Sequence, residues 1–223
     1  TVFNIAGQAV PALVAMASIP ATIHGLGPER FGLIGLAWVV LGYFSFLDLG
    51  MGYAATRLVA EALGRNELRR VPSIVGSAGA VQIAVGLVGA VVLFAAAPFL
   101  VDDLLRLAPA LRDDAVRTFR ILSAGVPLVL LTASLRAVLA ARQRFALINA
   151  ITIPASVLNF LIPLAGALWA WSLAQIAALL LAGRVAAMVA FVAMAAREIP
   201  GLISGGAPRR GLIRQLLRFG LWT

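Results

Sequence analysis

The chain has 223 residues, of which 62% are hydrophobic and 12% are charged, and its mean hydropathy is +1.01. This composition excludes an ordinary soluble globule, because so few polar side chains cannot cover a surface that faces water. The basic residues are all arginine and give a formal net charge of +9. In a soluble protein this excess would suggest binding to nucleic acid, but in a membrane protein it indicates which loops face the cytoplasm. With no Cys and only His24, we expect no disulfide, no metal site and no bound cofactor.

Six apolar segments are long enough to cross a hydrocarbon core of about 30 Å, which takes roughly 20 helical residues. In chain order we predict these helices over about 2–20, 31–56, 74–101, 119–141, 145–167 and 173–196. The polar stretch 57–73 and the mixed-charge loop 102–117 should lie outside the spans, the latter as an amphipathic turn on the membrane surface. The predicted fold is therefore an all-α, polytopic six-helix transmembrane bundle over residues 1–200.

Residues 201–223 are basic and rich in Gly and Pro, which predicts a cytoplasmic linker and the start of a seventh helix. The chain opens without an initiator Met or a cleavable signal peptide, and 211–223 resembles the approach to a helix that is then cut off. We therefore expect a chain truncated at both ends.

The arginines are distributed unevenly between the two sides that six crossings define. The side with both termini carries most of them, whereas four arginines of the opposite side share a loop with four aspartates. Because short loops rich in Arg stay cytoplasmic, both the N-terminus and residue 223 should be cytoplasmic.

Two charged residues fall inside predicted spans, and each has a functional and a structural interpretation. Arg184 is near the middle of the sixth helix, where a guanidinium facing lipid would cost several kcal/mol, so it should face a hydrated cavity that attracts an anion, or pair with Asp48. Asp48, within FLDLGMG of the second helix, is either a coupling-ion site or a brace for a helix break permitted by Gly50 and Gly52.

Uncharged polar residues form stripes on two helices. In the fifth helix the steps of three, four and three residues put Asn149, Thr152, Ser156 and Asn159 on one face. The first helix carries Asn4 and Gln8 at four-residue spacing. Such stripes line an aqueous cavity or bond a neighbouring helix, and we predict that these six residues line a substrate cavity together with Arg184.

Three stretches carry a resemblance to a known family: Leu26–Glu67, Leu135–Leu164 and RQLLRFGLW near the end. The first, which includes LGPERFGLIGLAWVVLGYFSFLDLGMG, resembles the opening of polysaccharide and O-antigen flippases in the multidrug/oligosaccharidyl-lipid/polysaccharide exporter (MOP) superfamily. The second is similar to their fourth and fifth helices.

This resemblance implies an inner-membrane transporter of about 12 to 14 helices in two lobes, of which this chain would be the N-terminal one. It implies alternating access around a central cavity and an undecaprenyl-pyrophosphate-linked oligosaccharide as substrate, often coupled to H⁺ or Na⁺. The implied partners are the lipid-linked oligosaccharide, membrane lipids and the missing C-terminal lobe of the same polypeptide.

Other functions remain open at this stage. A drug or metabolite exporter of the same superfamily would favour an apolar cavity with acidic residues, which Arg184 opposes. A membrane-embedded glycosyltransferase or polymerase would need a paired acid and base and usually a carboxylate cluster. The only close carboxylate pairs, Asp102 with Asp103 and Asp113 with Asp114, lie in an outer loop, so we expect a transporter and no enzyme. A structural subunit would leave Arg184 bonded and inaccessible to solvent.

Overall fold

The computed structural model describes residues 2–48, 50–105, 107–202 and 206–220, without the side chains of residues 2–8, 45, 219 and 220. Its described residues form helices and turns but no strand. The helices are α1 (Val2–Leu26), α2 (Pro28–Phe44), α3 (Met51–Gly64), α4 (Val71–Phe99), α5 (Pro109–Ser123), α6 (Gly125–Ala141), α7 (Phe145–Leu168), α8 (Leu173–Glu198) and α9 (Arg210–Gly220).

Six helical segments are long and apolar enough to cross a membrane, which confirms the predicted all-α polytopic class. They comprise Ala9–Leu26, Pro28–Asp48, Leu68–Leu104, Pro109–Ala141, Phe145–Leu168 and Leu173–Glu198. Several of them contain more than one helix, because short 3₁₀ or π turns extend α2 and α4 and because α5 runs into α6 at Ala124.

Three predicted boundaries are wrong, each for a local reason. The first helix continues through Pro20 to Leu26, and the chain turns only at Gly27, whose φ of 84° ends the helix. The second helix does not run to residue 56; it breaks after Asp48, and α3 then continues through much of the stretch predicted as polar loop. The loop predicted over 102–117 instead contains the beginning of α5, because Pro109 suits the first turn of a helix.

Helix α6 occupies the middle of the bundle and contacts α3, α4, α7 and α8, while α1 packs along α7. Two bonded clusters fix opposite ends of α8. Asp114 accepts hydrogen bonds from the backbone N–H groups of Leu173 and Ala174 at 2.8 and 3.1 Å. At the other end, Glu198 lies 3.0 Å from Arg144 and 3.7 Å from Arg142.

Candidate substrate cavity

An open cavity of about 510 Å³ brings together residues from five helices. Its polar groups come from α2, α7 and α8, and its remaining wall is mostly apolar. The lining residues are Pro11, Trp38, Leu41, Gly42, Val129, Ser156, Asn159, Phe160 and Arg184. The cavity thus contains three of the seven residues that the sequence predicts for the substrate site.

Arg184 enters this cavity beside the start of α6. Gly125 adjoins its side chain, and a Cβ added there would be in ordinary van der Waals contact with Cδ and Nη1 of Arg184, at 3.7 and 3.8 Å. The Nε atom is buried, and no described residue accepts a hydrogen bond from it. Asp48 does not pair with Arg184 among the described contacts, so the predicted structural ion pair is not formed.

Trp38 supplies a second buried donor to the same cavity. Its indole Nε1 has no hydrogen-bond partner among the described residues. The ring is held by Phe160 at 5.4 Å and Phe31 at 6.4 Å between centroids, both edge to face. The side chains of Trp38 and Arg184 therefore line the same cavity, and each also has a buried N–H without a partner among the described residues.

Only part of the polar stripe of α7 lines the cavity. Ser156 and Asn159 line the cavity, whereas the hydroxyl of Thr152 donates to the carbonyl of Ile148 at 2.8 Å. Neither Thr152 nor Asn149 lines the cavity. Asn4 and Gln8 lie in α1, but their side chains are outside the described residues, so this part of the prediction stays a prediction.

Asp48 belongs to a second cavity, of about 610 Å³, which also contains Tyr53, Thr56, Thr132 and Arg136. Its carboxylate accepts the backbone N–H of Gly52 at 2.9 Å and Nε2 of Gln82 at 2.5 Å. Ser134 in turn donates to Oε1 of Gln82 at 2.6 Å. Asp48 therefore joins α2 to α4 and α6, across a break where Gly50 adopts a φ of 70°. Val129 lines both cavities.

Sequence reasoning missed Trp38 and did not name Asp48 as the partner of Gln82. A tryptophan in the middle of a span, away from the headgroup level that this residue prefers, is a signal that could have found the first. Gln82 appears in the sequence as an isolated polar residue, and only the fold brings it to Asp48.

These features define a multi-pass helical membrane protein with an open cavity that contains Arg184. The chain belongs to the family described as "Polysaccharide biosynthesis protein", whose profile matches residues 1–223. The predicted resemblance is therefore confirmed at the level of the family.

Two comparisons extend this result. The chain is 26% identical over 149 residues to the Shigella flexneri protein named "Putative O-antigen transporter", a match that covers 67% of this chain and 35% of that protein. It has the fold of a MOP superfamily transporter from Pyrococcus furiosus, with a TM-score of 0.76, 18% identity, and coverage of 99% of this chain and 49% of that one. The chain thus spans about a third and about half of the length of these two proteins.

Proposed function

We propose that the chain is the N-terminal lobe of a transporter that flips a lipid-linked oligosaccharide across the bacterial inner membrane for polysaccharide biosynthesis. The substrate class is an undecaprenyl-pyrophosphate-linked glycan, and transport proceeds by alternating access between this lobe and a C-terminal lobe of the same polypeptide. The family and the MOP fold support a transporter, and the cavity supports an anionic substrate.

The observation that carries the proposal is that Arg184 lines a cavity of about 510 Å³ together with Trp38 and has no carboxylate partner among the described residues. A guanidinium that lies within a span and has no carboxylate partner favours an anionic ligand. A pyrophosphate offers several oxygens, and a guanidinium binds phosphate with two parallel hydrogen bonds. Ser156 and Asn159 add hydrogen-bonding groups suited to a sugar hydroxyl.

The proposal includes ion coupling at Asp48, by H⁺ or Na⁺. Asp48 is a half-buried carboxylate that faces a cavity within a span, where a proton or a cation would change the local charge most strongly. Both the N-terminus and the end at residue 223 are assigned to the cytoplasm, because the loops richest in arginine lie on that side.

One observation favours a second candidate, an exporter of cationic drugs or metabolites. The second cavity combines the Asp48 carboxylate with the ring of Tyr53, and a carboxylate beside an aromatic face suits an organic cation. Arg136 lines the same cavity and opposes this binding. The two candidates differ in the residue on which transport of their substrate depends, Arg184 for the flippase and Asp48 for the exporter.

The test replaces Arg184 by Ala and by Lys in the complete protein and measures surface polysaccharide at matched expression. We expect R184A to lower export at least about tenfold, as loss of one charged hydrogen bond implies. R184K should recover part of it, since the ammonium keeps the charge but not the planar fork. Arg197, exposed at the end of the same helix, provides the control R197A.

A second variant, W38F, keeps the aromatic ring and removes the indole N–H. We expect a smaller loss of export than for R184A. Normal export in R184A, R184K and W38F would contradict a role for this cavity in binding an anion. Drug resistance that depends on Asp48 but not on Arg184 would favour the exporter.

A further inference from the structure

The segment that follows α8 is packed against the bundle instead of forming a free tether. Gly206 lies against α4, where a Cβ on it would come within 2.6 Å of the carbonyl oxygen of Pro72. The backbone N–H of Arg209 donates to the hydroxyl of Ser77 at 3.0 Å. Leu212 and Leu216 of α9 are then buried in the same core as residues of α3 and α4. The apolar side of α9 is therefore already covered by protein.

The opposite side of α9 is a row of exposed cations. Arg210, Arg214 and Arg218 recur every four residues and share one face. Within the described part of the chain none of the three forms an ion pair. Like charges at this spacing repel one another, so an anionic environment would stabilise the row.

A niche of about 590 Å³ adjoins this row at the beginning of α9. It is lined by Asn66, Glu67, Leu68, Arg69, Arg70 and Arg209. Glu67 neutralises only Arg70, at 3.1 Å, which leaves Arg69 and Arg209 without a carboxylate among the described contacts. Because Arg209 directly precedes Arg210, the niche and the row form one continuous surface, which we name the α9 arginine surface (Arg69, Arg209, Arg210, Arg214 and Arg218).

We propose that the α9 arginine surface binds the phosphate headgroups of anionic phospholipids. The niche lies where the span Leu68–Leu104 begins, which is the depth of headgroups, and exposed guanidinium groups cannot face acyl chains without a large cost. Guanidinium forks match phosphate oxygens, and basic amphipathic helices bind membranes that carry negative lipids. Since the leucines of α9 pack on α3 and α4, the contact is electrostatic and does not require insertion of the helix.

This surface is separate from the cavity of Arg184, so the inference does not depend on the proposed substrate. It assigns to α9 a membrane-contacting role beyond that of a linker. Anionic lipid would hold α9 against α4, where Gly206 and Arg209 already fix its start.

The experiment compares the complete protein with the variant R210Q/R214Q/R218Q, purified with phosphatidylglycerol and phosphatidylcholine in equal amounts. Native mass spectrometry measures which lipid is retained. We expect the parent to retain phosphatidylglycerol selectively and the triple variant to lose this preference, by about fivefold for each arginine that contacts the anionic surface. The preference of the parent should also fall with added salt.

The control is R65Q, which removes an exposed arginine at the same end of the bundle that is already paired with Glu61 at 2.9 Å. Its lipid preference should equal that of the parent. R69Q/R209Q tests the niche separately and should lose part of the preference while α9 keeps its arginines. Thermal unfolding in phosphatidylcholine alone checks that each variant is folded.

Three results would overturn the proposal. They are equal retention of the two lipids by the parent, equal lipid preference in the triple variant and R65Q, or retention of inorganic phosphate by the parent as strong as its retention of phosphatidylglycerol. The last result would assign the surface to free anions instead of lipid.

Discussion

Arg184 and Asp48 are two charged residues within the spans that differ in their hydrogen-bond partners. Asp48 receives a backbone N–H from Gly52 and an amide from Gln82, and these bonds satisfy a carboxylate across a helix break. Arg184 receives no such partner at Nε. Arg184 lines a cavity and has no carboxylate partner among the described residues, so its charge can attract a ligand, whereas the bonds of Asp48 contribute first to the structure.

The two interpretations of Asp48, coupling site and brace, make different predictions for D48N and Q82L. If Asp48 couples an ion, D48N should make transport insensitive to collapse of the proton or sodium gradient, because the amide cannot take up a charge. Q82L removes one donor to the carboxylate but keeps Asp48 itself. We expect Q82L to lower stability by about 1–3 kcal/mol and to keep the gradient dependence.

Transport into inverted vesicles with and without an ionophore measures the coupling, and thermal unfolding in detergent measures stability. The control S134A removes only the donor to Oε1 of Gln82. If D48N and Q82L lose stability alike and both keep the gradient dependence, Asp48 is a brace and the coupling proposal is wrong.

At the scale of helices, the sequence predicts those features that depend on residues close together in the chain. The spans follow from the length of apolar runs, a signal strong enough to give all six. Hydropathy does not show the break between Asp48 and α3, because the apolar pattern continues across it, and only Gly50 and Gly52 indicate it in the sequence. For the site, Arg184 stood out since charge at mid-span is rare, while Trp38 carries only the weaker signal of a tryptophan away from the headgroup level, and its place beside Arg184 depends on the fold.

Close helix packing around α6 depends on small residues that hydropathy does not distinguish from other apolar ones. A Cβ on Gly86 of α4 would lie 2.5 Å from Cα of Pro127 in α6. We predict that G86A destabilises the bundle by about 1–3 kcal/mol through overpacking, because a backbone atom cannot move aside as a flexible side chain can.

The matched control is G35A in α2, where an added Cβ meets nothing within 4 Å. It should be neutral or slightly stabilising, since Ala favours a helix over Gly. Thermal unfolding of both variants in the same detergent makes the comparison, and a loss in G35A as large as that in G86A would contradict the packing argument.

At the scale of the whole molecule, the arginines and the two cavities are arranged in order along the long axis of the helix bundle. The arginines of the α3–α4 turn, of the α6–α7 turn and of α9 lie at one end of the bundle, and the second cavity, with Arg136, opens between this end and the cavity of Arg184. On α6, Gly125 and Arg136 are eleven residues apart, which is about 16 Å along the helix. Arg184 and Arg136 thus lie in two cavities at different positions along α6, and the cavity that contains Arg136 also contains the Asp48 carboxylate.

The orientation of the helix bundle in the membrane decides whether its arginine-rich end faces the cytoplasm. Single introduced cysteines test this orientation directly, because the chain has no cysteine of its own. Ala207, exposed before α9, and Ala110, exposed in the first turn of α5, lie on opposite sides of the predicted membrane. In the complete protein without other accessible cysteines, A110C should react with a membrane-impermeant maleimide in cells whose outer membrane alone is permeabilised. A207C should react only after the inner membrane is opened, because short arginine-rich loops remain in the cytoplasm. The reverse pattern would invert the assigned topology and would place the α9 arginine surface against the outer leaflet, while equal labelling of both sites in closed cells would show that one of the six helices does not cross.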